Sequence, residues 1–384
     1  MRLLTAGESH GPALTGILEG LPAGLALESR HFAAQLARRR LGYGRGNRMK
    51  IEDDALDIVG GVRAGRTTGG PLALVLPNKD HKNWLGIMDA APRTGPARRA
   101  VRVPRPGHAD LVGALKYGHD DMRDVLERAS ARETAMRVAL ATAARRLLEE
   151  LGVTVGSRVV SVGGEADETP AAGLSGAALS RRSDASPLRC LGKAAERRMA
   201  AAVDAAKAAG DTLGGVFEVV ATGLPAGLGS YVQWDRRLEG ELAAALMSLN
   251  AVKGVEVGLG FASAALRGSQ AHDAFYWNAR RTKVVRKTNR SGGIDGGITT
   301  GEPLVVRAAM KPIATLMKPL PSVDLAARKP AAAHIERSDA CAVPAGAVIG
   351  ESLVCLALAD AFLVKFGGDS VKELKEHHAA SRAR

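Results

Sequence analysis

Aromatic residues are only 3% of this 384-residue sequence. The core must therefore be built from Ala, Val and Leu, and the stacking platforms that single-stranded nucleic acid needs are missing. There is no zinc-finger spacing and no RNP1-type run either, so no nucleic-acid partner is expected. Cysteine is rarer still. Cys190, Cys341 and Cys355 have no spacing for a disulfide framework or a metal site, which points to a reducing, cytoplasmic setting and to no metal. Long apolar runs are also absent. The most apolar stretch, residues 346–366, holds Glu351, Asp360 and Lys365, too many charges for a lipid-buried helix, so no membrane partner is expected. The first six residues lack the apolar run of a signal peptide and meet Glu8 at once. Acidic residues are the minority charge, 40 against 53 Lys and Arg, and the net charge is +13. Such a balance draws anions, whether nucleic acid, anionic lipid or phosphorylated metabolites. On composition alone, a well-solvated basic surface is an equal alternative.

What is present is 46% hydrophobic content and 45 glycines, enough for a large core in one big domain or two ordinary ones. The sequence also repeats itself. Gly-Leu-Pro-Ala-Gly-Leu stands at residues 20–25 and again at 223–228. Each copy follows a strand-like run (14–19, 216–222) and precedes a helix-like one (29–40, 235–249), with Ser29 and Asp235 as candidate N-caps. A second pattern follows in both cases: Gly-Arg-Thr-Thr-Gly-Gly-Pro-Leu at 65–72 and Gly-Ile-Thr-Thr-Gly-Glu-Pro-Leu at 297–304. Each leads into an apolar strand (73–76, 305–308) and later a long helical pattern near 131–151 and 345–366. Two matches in the same order predict a duplicated α/β unit, residues 1–160 and 211–366, with a pseudo-two-fold relation and a ligand near the join. Ordinary strand–turn–helix connections are the alternative. Residues 165–184 read as an exposed connection and 189–209 as Ala-rich helix. The polar tail, 367–384, reads as frayed.

Several segments carry side chains suited to chemistry. His10, in Gly-Glu-Ser-His-Gly at 7–11, sits on a glycine-flanked turn, and histidine is the side-chain type suited to donating or accepting a proton near neutral pH; a histidine that merely caps the turn is the plainer reading. His108 lies in Val-Pro-Arg-Pro-Gly-His-Ala-Asp at 103–110, where Arg105 and His108 can grip a phosphate. With Ser9 a hydrolase triad is conceivable, but no Gly-x-Ser-x-Gly elbow exists. Arg38, Arg39 and Arg40 end the first predicted helix, and the Gly-Tyr-Gly-Arg-Gly-Asn-Arg loop at 42–48 follows. Its backbone N–H groups and guanidinium forks can cradle an anion. It is neither a dinucleotide fingerprint nor a Walker loop. A solvated basic helix end is the alternative, and it suits Arg38 and Arg40 better than Arg45. Ser130 opens a long helix whose first turn offers free N–H groups to a phosphate. Arg337 and Asp339 precede another helix, placing a cation and a base at one entry, or forming only a local ion pair.

Three stretches, 7–22, 127–139 and 337–353, resemble the signatures of the chorismate synthase family. The text between them fits as well, including 65–71, Asn78-Lys79-Asp80, 105–110, 250–254 and Lys311-Pro312. The resemblance covers essentially the whole chain. It implies a single domain over 1–366 with an α/β fold of the α+β type, a β-α-β sandwich whose helices lie between antiparallel sheets. It implies a 1,4-anti elimination that turns 5-enolpyruvylshikimate 3-phosphate (EPSP) into chorismate and phosphate with reduced FMN. NADPH enters only indirectly, as a source of reducing equivalents. A homotetramer is implied, with flavin sites bordered by a neighbouring subunit, and a separate flavin reductase is a possible partner. By motif match, flavin contacts fall on Ser130, Ala131, Arg132, Asn250, Ala251, Gly296, Lys311, Pro312, Ile313, Ala314, Thr315 and Arg337. Arg39, Arg45, Arg105, Arg132 and Arg337 would hold the substrate's two carboxylates and phosphate. The Arg39 and Arg45 positions sometimes carry an NADP-binding label in this family, yet suit the anionic substrate equally. His10 would donate a proton near flavin N1, and His108 would assist departure of the phosphate. Asp339, with Ser9, would help to remove the C6 proton through flavin N5. A non-catalytic RNA- or anion-binding protein and a flavin oxidoreductase that turns over NADPH by itself are the competing classes.

Overall fold

Burial alternates along residues 13–19: Leu14, Gly16 and Leu18 are inside while Thr15, Ile17 and Glu19 are exposed. This is the period of a strand with one face on a core. The computed structural model describes residues 1–46, 54–92, 95–336 and 338–382. The strands β1 (Arg2–Ala6) and β2 (Ala13–Glu19) are followed by α1 (Ser29–Arg40) and β3 (Asp57–Gly60). The two-residue strands β4 (Val62–Arg63) and β5 (Arg66–Thr67) and then β6 (Leu72–Pro77) come next. Three helices follow: α2 (Asp110–Tyr117), α3 (Arg123–Arg128) and α4 (Thr134–Glu150). β7 (Thr154–Val162), β8 (Glu165–Ala166), α5 (Gly176–Asp184) and α6 (Lys193–Ala208) lead to β9 (Gly215–Thr222), α7 (Leu238–Met247) and β10 (Val252–Val257). After α8 (Gly268–Ala271), β11 (Phe275–Trp277) pairs with β12 (Val284–Arg286), and β13 (Ile294–Asp295) with β14 (Ile298–Thr299). Last come β15 (Leu304–Met310), the hairpin of β16 (Pro321–Asp324) and β17 (Lys329–Ala332), α9 (Val343–Phe366) and α10 (Val371–Arg382).

The two large sheets are antiparallel, with orders β1-β2-β6-β3 and β10-β15-β9-β7-β8. Helix α4 packs on β2 and β6, α9 packs on β7 and β9, and the two helices pack on each other. Helices therefore lie between sheets, as the sandwich requires. α4 can be buried all round because it is rich in alanine, with Ala135, Ala139, Ala143 and Ala144 fully inside. Close approach is enforced at two glycines. A Cβ on Gly16 would stand 2.6 Å from Met136 Cγ, and one on Gly350 would stand 2.4 Å from Phe217 Cε2.

The sequence repeat is a structural repeat. Read from one edge, β1-β2-β6-β3 matches β7-β9-β15-β10, and the hairpin β4–β5 matches β13–β14. The two repeated motifs are partners of one another. Thr67 Oγ1 donates to Pro22 O (2.6 Å) and accepts from Leu25 N–H (2.9 Å). Thr299 Oγ1 does the same with Pro225 O (2.7 Å) and Leu228 N–H (2.8 Å). Thr68 N–H donates to Gly61 O and Thr300 N–H to Gly293 O, both at 3.0 Å. The second half begins earlier than its predicted start at 211. β7 belongs to the second sheet, so the first half ends near residue 151 rather than 160, with residues 165–213 inserted after β7.

Other expectations are corrected. The tail is not frayed: α10 spans most of 367–384, with Leu374 fully buried and the His378 ring edge-on to Phe362. Ala23 N–H donates to Asp369 O, and Val371 N–H to Ala23 O. Glu28, not Ser29, is the N-cap of α1, in a capping box with His31. Asp235 lies in a 3-10 turn ahead of α7, whose N-cap is Arg237. Arg38 is not a solvated helix end. Its guanidinium donates to Glu351 at 2.8 and 2.9 Å.

That Glu351 explains α9. The helix is long and apolar enough to cross a membrane, yet most of it is buried inside the protein, and Glu351 sits at its middle with no exposure. Besides Arg38, the carboxylate accepts from Arg145 (2.6 Å), Arg189 (3.2 Å) and Ser157 Oγ (2.7 Å). Burial alone would raise its proton affinity. The charges of Arg38 and Arg145 outweigh burial and hold it far below the usual carboxylate range. Its contribution to stability is thus fully present above the ordinary glutamate value of 4.5 and is lost as pH falls below it. Glu351→Gln strands buried guanidinium groups. It is expected to cost about 3–5 kcal/mol in denaturant unfolding near neutrality, with the difference from wild type shrinking in acid. An equal cost at all pH values would refute the ionised state.

Candidate functional site

Short loops at the ends of the helical layer gather the candidate residues. Ser130 is the N-cap of the 3-10 turn that enters α4; its Oγ accepts from Arg132 N–H (3.3 Å) and lies 3.0 Å from Ser9 Oγ. Asn250 Nδ2 donates to Ala129 O (3.0 Å). The next residue, Ala251, has φ +67°, a left-handed conformation costly for a residue with a Cβ. Ala251 O accepts from Lys311 N–H (2.9 Å), and the Lys311 ammonium donates to Gly107 O. Ile313 O accepts from Thr212 Oγ1 (2.7 Å), and Thr315 Oγ1 accepts from Arg105 Nη1 (2.8 Å). One arc of contacts thus joins Ser9, Ser130, Asn250, Ala251, the 311–315 segment, Arg105 and the His108 turn. Gly296 stands apart from it. It is in the β13–β14 turn, whose hydrogen bonds among the described residues run to other segments, including Gly227, Leu228 and Leu238. Arg337 lies outside the described residues.

Guanidinium groups crowd the inner side of this arc. Arg39 is buried, with Nε and Nη2 donating to Thr134 Oγ1 (3.1 and 3.0 Å) and Nη2 to Ala131 O (2.9 Å). Its Nη1 is buried and has no acceptor among the described residues. Burial, then the charges of Arg45 and Arg132, lower the proton affinity of Arg39, against partial support from Asp54 and Asp339. Arg132 donates to Asp54 Oδ1 (2.5 Å) and Asn78 Oδ1 (3.1 Å). Arg45 donates to Asp339 Oδ2 (2.7 Å), and Gly46 N–H to Asp339 Oδ1 (2.6 Å). Asp339 does not cap α9, whose N-cap is Ala342.

The two histidines have carboxylate partners. His10 Nδ1 lies 2.8 Å from Glu127 Oε1, and the ring stacks on Trp84 with centroids 3.9 Å apart. Asp80 Oδ2 is 3.8 Å from His10 Nε2. Burial would raise the Glu127 carboxyl, but hydrogen bonds and charge from His10, with Arg123, hold it below the ordinary value. His108 Nδ1 lies 2.5 Å from Asp110 Oδ1. Asp110 is fully buried at the start of α2 and also accepts from Arg105 Nε (2.8 Å). Burial opposes its ionisation, and His108 with Arg105 reverses that, holding it far below the carboxylate range. Glu336, beside Arg337, is likewise brought down to about 2 by His334 and Arg123 against burial.

Glu127, Arg123, Trp84, Asp80, Asp54 and Asp110 were given no role from sequence. Glu127, Asp80 and Asp110 stood in motif stretches, but their partners were invisible: Glu127 and His10 are 117 positions apart, Arg132 and Asp54 78. Chemically, the arrangement offers a cation-rich cluster with two carboxylate-held imidazoles, suited to a multiply charged anion that loses phosphate.

The sequence profile of the chorismate synthase family matches residues 1–363. The chorismate synthase of Brevibacillus brevis is 52% identical over 385 aligned positions, covering 100% of this chain and 99% of the relative. That of Desulforudis audaxviator is 55% identical, covering 98% and 96%. A crystal structure of a chorismate synthase superposes with a TM-score of 0.79 at 38% identity, covering 99% of this chain and 96% of the other. Family profile, curated relatives and solved structure agree over nearly the full length, and the chain belongs to the chorismate synthase family.

Proposed function

We propose that the arc from Ser9 to Thr315 holds reduced FMN and EPSP together and that the arginines on its inner side bind the substrate's anionic groups. The reaction itself follows from family membership: the chain is a carbon–oxygen lyase that converts EPSP to chorismate and phosphate in the shikimate pathway. The observation that carries the site assignment is Arg39 Nη1, a buried donor without an acceptor among the described residues, flanked by Arg45 and Arg132. A buried donor left unsatisfied costs about 1–3 kcal/mol, and an anion from the ligand would offset that cost. A flavin phosphate would be held by the Ser130 hydroxyl and the Arg132 guanidinium at the entry to α4, with Asn250 beside that turn and Ala251 and the 311–315 segment next along the arc. Gly296, off the arc, is assigned to the border supplied by a neighbouring copy, and Arg337 keeps its assignment to both ligands.

Each side chain then has a task. Arg39, Arg45, Arg105 and Arg132 bind carboxylate and phosphate oxygens bidentately and orient the allylic phosphate. His108, held by Asp110 and Arg105, donates to the departing phosphate and stabilises the charge it develops. His10 serves as a proton donor, and Ser9 with Ser130 orders the turn that carries it. Asp339 is the carboxylate that receives the C6 proton. Reduced flavin supplies electron density that no side chain offers, in a reaction that is redox-neutral overall. NADPH enters only through a separate flavin-reducing partner. The setting is cytoplasmic: all three cysteines are buried free thiols, and burial pushes Cys341 and Cys355 up to about 11.

Asp339→Asn separates two roles. A base predicts a folded variant that still binds FMN and EPSP but turns over at least about a hundredfold more slowly. A residue that only holds Arg45 predicts a raised KM for EPSP with kcat retained, and that outcome in steady-state kinetics would move the proton to another group. The assembly is proposed to be a homotetramer. Tyr231, Trp234, Phe261, Phe275 and Trp277 are all more than 60% exposed, an aromatic surface suited to burial between copies. Sedimentation at four times the chain mass is expected; a monomer would contradict it.

A further inference from the structure

His10 is gripped more tightly than a turn histidine needs to be. Its Nδ1 lies 2.8 and 2.9 Å from the two Glu127 oxygens, and its own backbone N–H donates to Glu127 Oε2 at 2.8 Å. Ser9 N–H donates to the Glu127 carbonyl at 3.0 Å. The ring stacks on Trp84 at 22°. His81 donates from Nδ1 to the His10 carbonyl at 2.9 Å, and Asp80 stands 3.8 Å from Nε2. An ionised carboxylate only accepts, so the nitrogen facing Glu127 carries the hydrogen.

Arg123 extends the grip. Its Nη1 is 3.2 Å from Glu127 Oε1 and 3.0 Å from Glu336 Oε1, and its Nε donates to Arg99 O at 3.0 Å. Its guanidinium lies 5.0 Å from the centre of the Trp84 ring, with Arg99 4.4 Å from the same ring. Glu336 also pairs with His334 Nε2 at 3.0 Å. One buried cation therefore touches the carboxylate that holds His10, the ring on which His10 stacks, and the segment that leads to Asp339.

We propose that Glu127 and Arg123 are positioning residues of the elimination: Glu127 keeps His10 protonated at Nδ1, so that Nε2 is the nitrogen that exchanges a proton, and Arg123 ties this pair to the 334–339 segment. The inference rests on the reading of His10 as a proton donor. Among the described residues, the charges facing the ring are Glu127 and Arg123 from α3 and Asp80 and His81 from the 3-10 turn at Lys79–Asn83. The nearest of them, Glu127, accepts from Nδ1 and so makes Nε2 the nitrogen turned to the exchange. The same carboxylate–imidazole logic fixes tautomers in hydrolase triads.

Two measurements test this. In wild-type protein labelled with ¹⁵N-histidine, with His10 signals identified by their loss in His10→Asn, Nδ1 is expected to stay protonated while Nε2 titrates. A neutral His10 carrying its hydrogen on Nε2 would overturn the proposal. This spectrum needs no turnover, so a wild-type enzyme inert toward EPSP would contradict the proposed function and leave the tautomer result standing. The second measurement is the pH profile of kcat. Glu127→Gln should move the alkaline limb down by about one unit or more and lower kcat at pH 8 by at least about tenfold. The KM for EPSP should stay near wild type, while the thermal midpoint falls, because buried Arg123 loses a carboxylate partner. Arg123→Lys should retain the wild-type profile, and Arg123→Met should reproduce part of the Glu127→Gln shift. Unchanged kcat and pH profile in Glu127→Gln would overturn the assignment; should that variant not fold, the wild-type spectrum decides.

Discussion

The structure turns on where guanidinium charge is buried and what answers it. Three consecutive arginines at the end of α1 meet three different fates. Arg38 joins Arg145 and Arg189 around Glu351, where a buried carboxylate and two sheets' worth of helix contacts close the cluster. Arg40 lies 3.9 Å from Asp54. Arg39, between them, faces Arg45 and Arg132 and keeps one donor without an acceptor among the described residues. Buried ion pairs are weak evidence for stability in general, because desolvation opposes them. The contrast between clusters is more telling: the Glu351 cluster holds its own carboxylate, and the one around Arg39 is proposed to take an anion from the ligand. The net charge of +13 then steers such an anion inward, over a range that salt shortens to roughly 8 Å at physiological ionic strength.

The duplicated fold places this open cluster. Thr67 and Thr299 lock the two copies of the same turn onto the same hairpin, so both halves carry their central helix to the sandwich interior with matching geometry. Helices α4 and α9 meet there, and the approaches to their N-termini hold Ser130, Ala131, Arg132 and Asp339 of the proposed site. The site is thus a property of the join between repeats, with the inserted residues 165–213 bracing it: Tyr43 N–H donates to Pro187 O and Tyr43 Oη to Asp204.

How much of this was legible in the sequence follows from the range of the interactions. Strand alternation and helix periodicity are local, so β2, β6, β9, β15 and the long helices stood near their predicted places. The repeated Thr-Thr-Gly hairpins marked the duplication because the same short-range contacts had to be made twice. Residues that act through long-range partners were not readable. Nothing beside Glu127 announces that its carboxylate holds His10, and nothing in Arg-Arg-Arg says that the first pairs with Glu351 and the second with Thr134 and Ala131. The tail misled for a related reason. α10 is polar along most of its length, and its burial depends on Leu374 and His378 meeting α9, a tertiary fact. The membership of β7 in the second sheet was equally hidden, since a strand carries no mark of the sheet it will join.

The account stands or falls on an elimination that consumes no reductant. The direct measurement is anaerobic incubation of the purified chain with EPSP and catalytic, chemically reduced FMN, without NADPH, following chorismate and phosphate together. Equimolar release of both over many turnovers per flavin, and none with oxidised FMN, is the predicted result. No product under these conditions, or product only in proportion to NADPH oxidised, would contradict it.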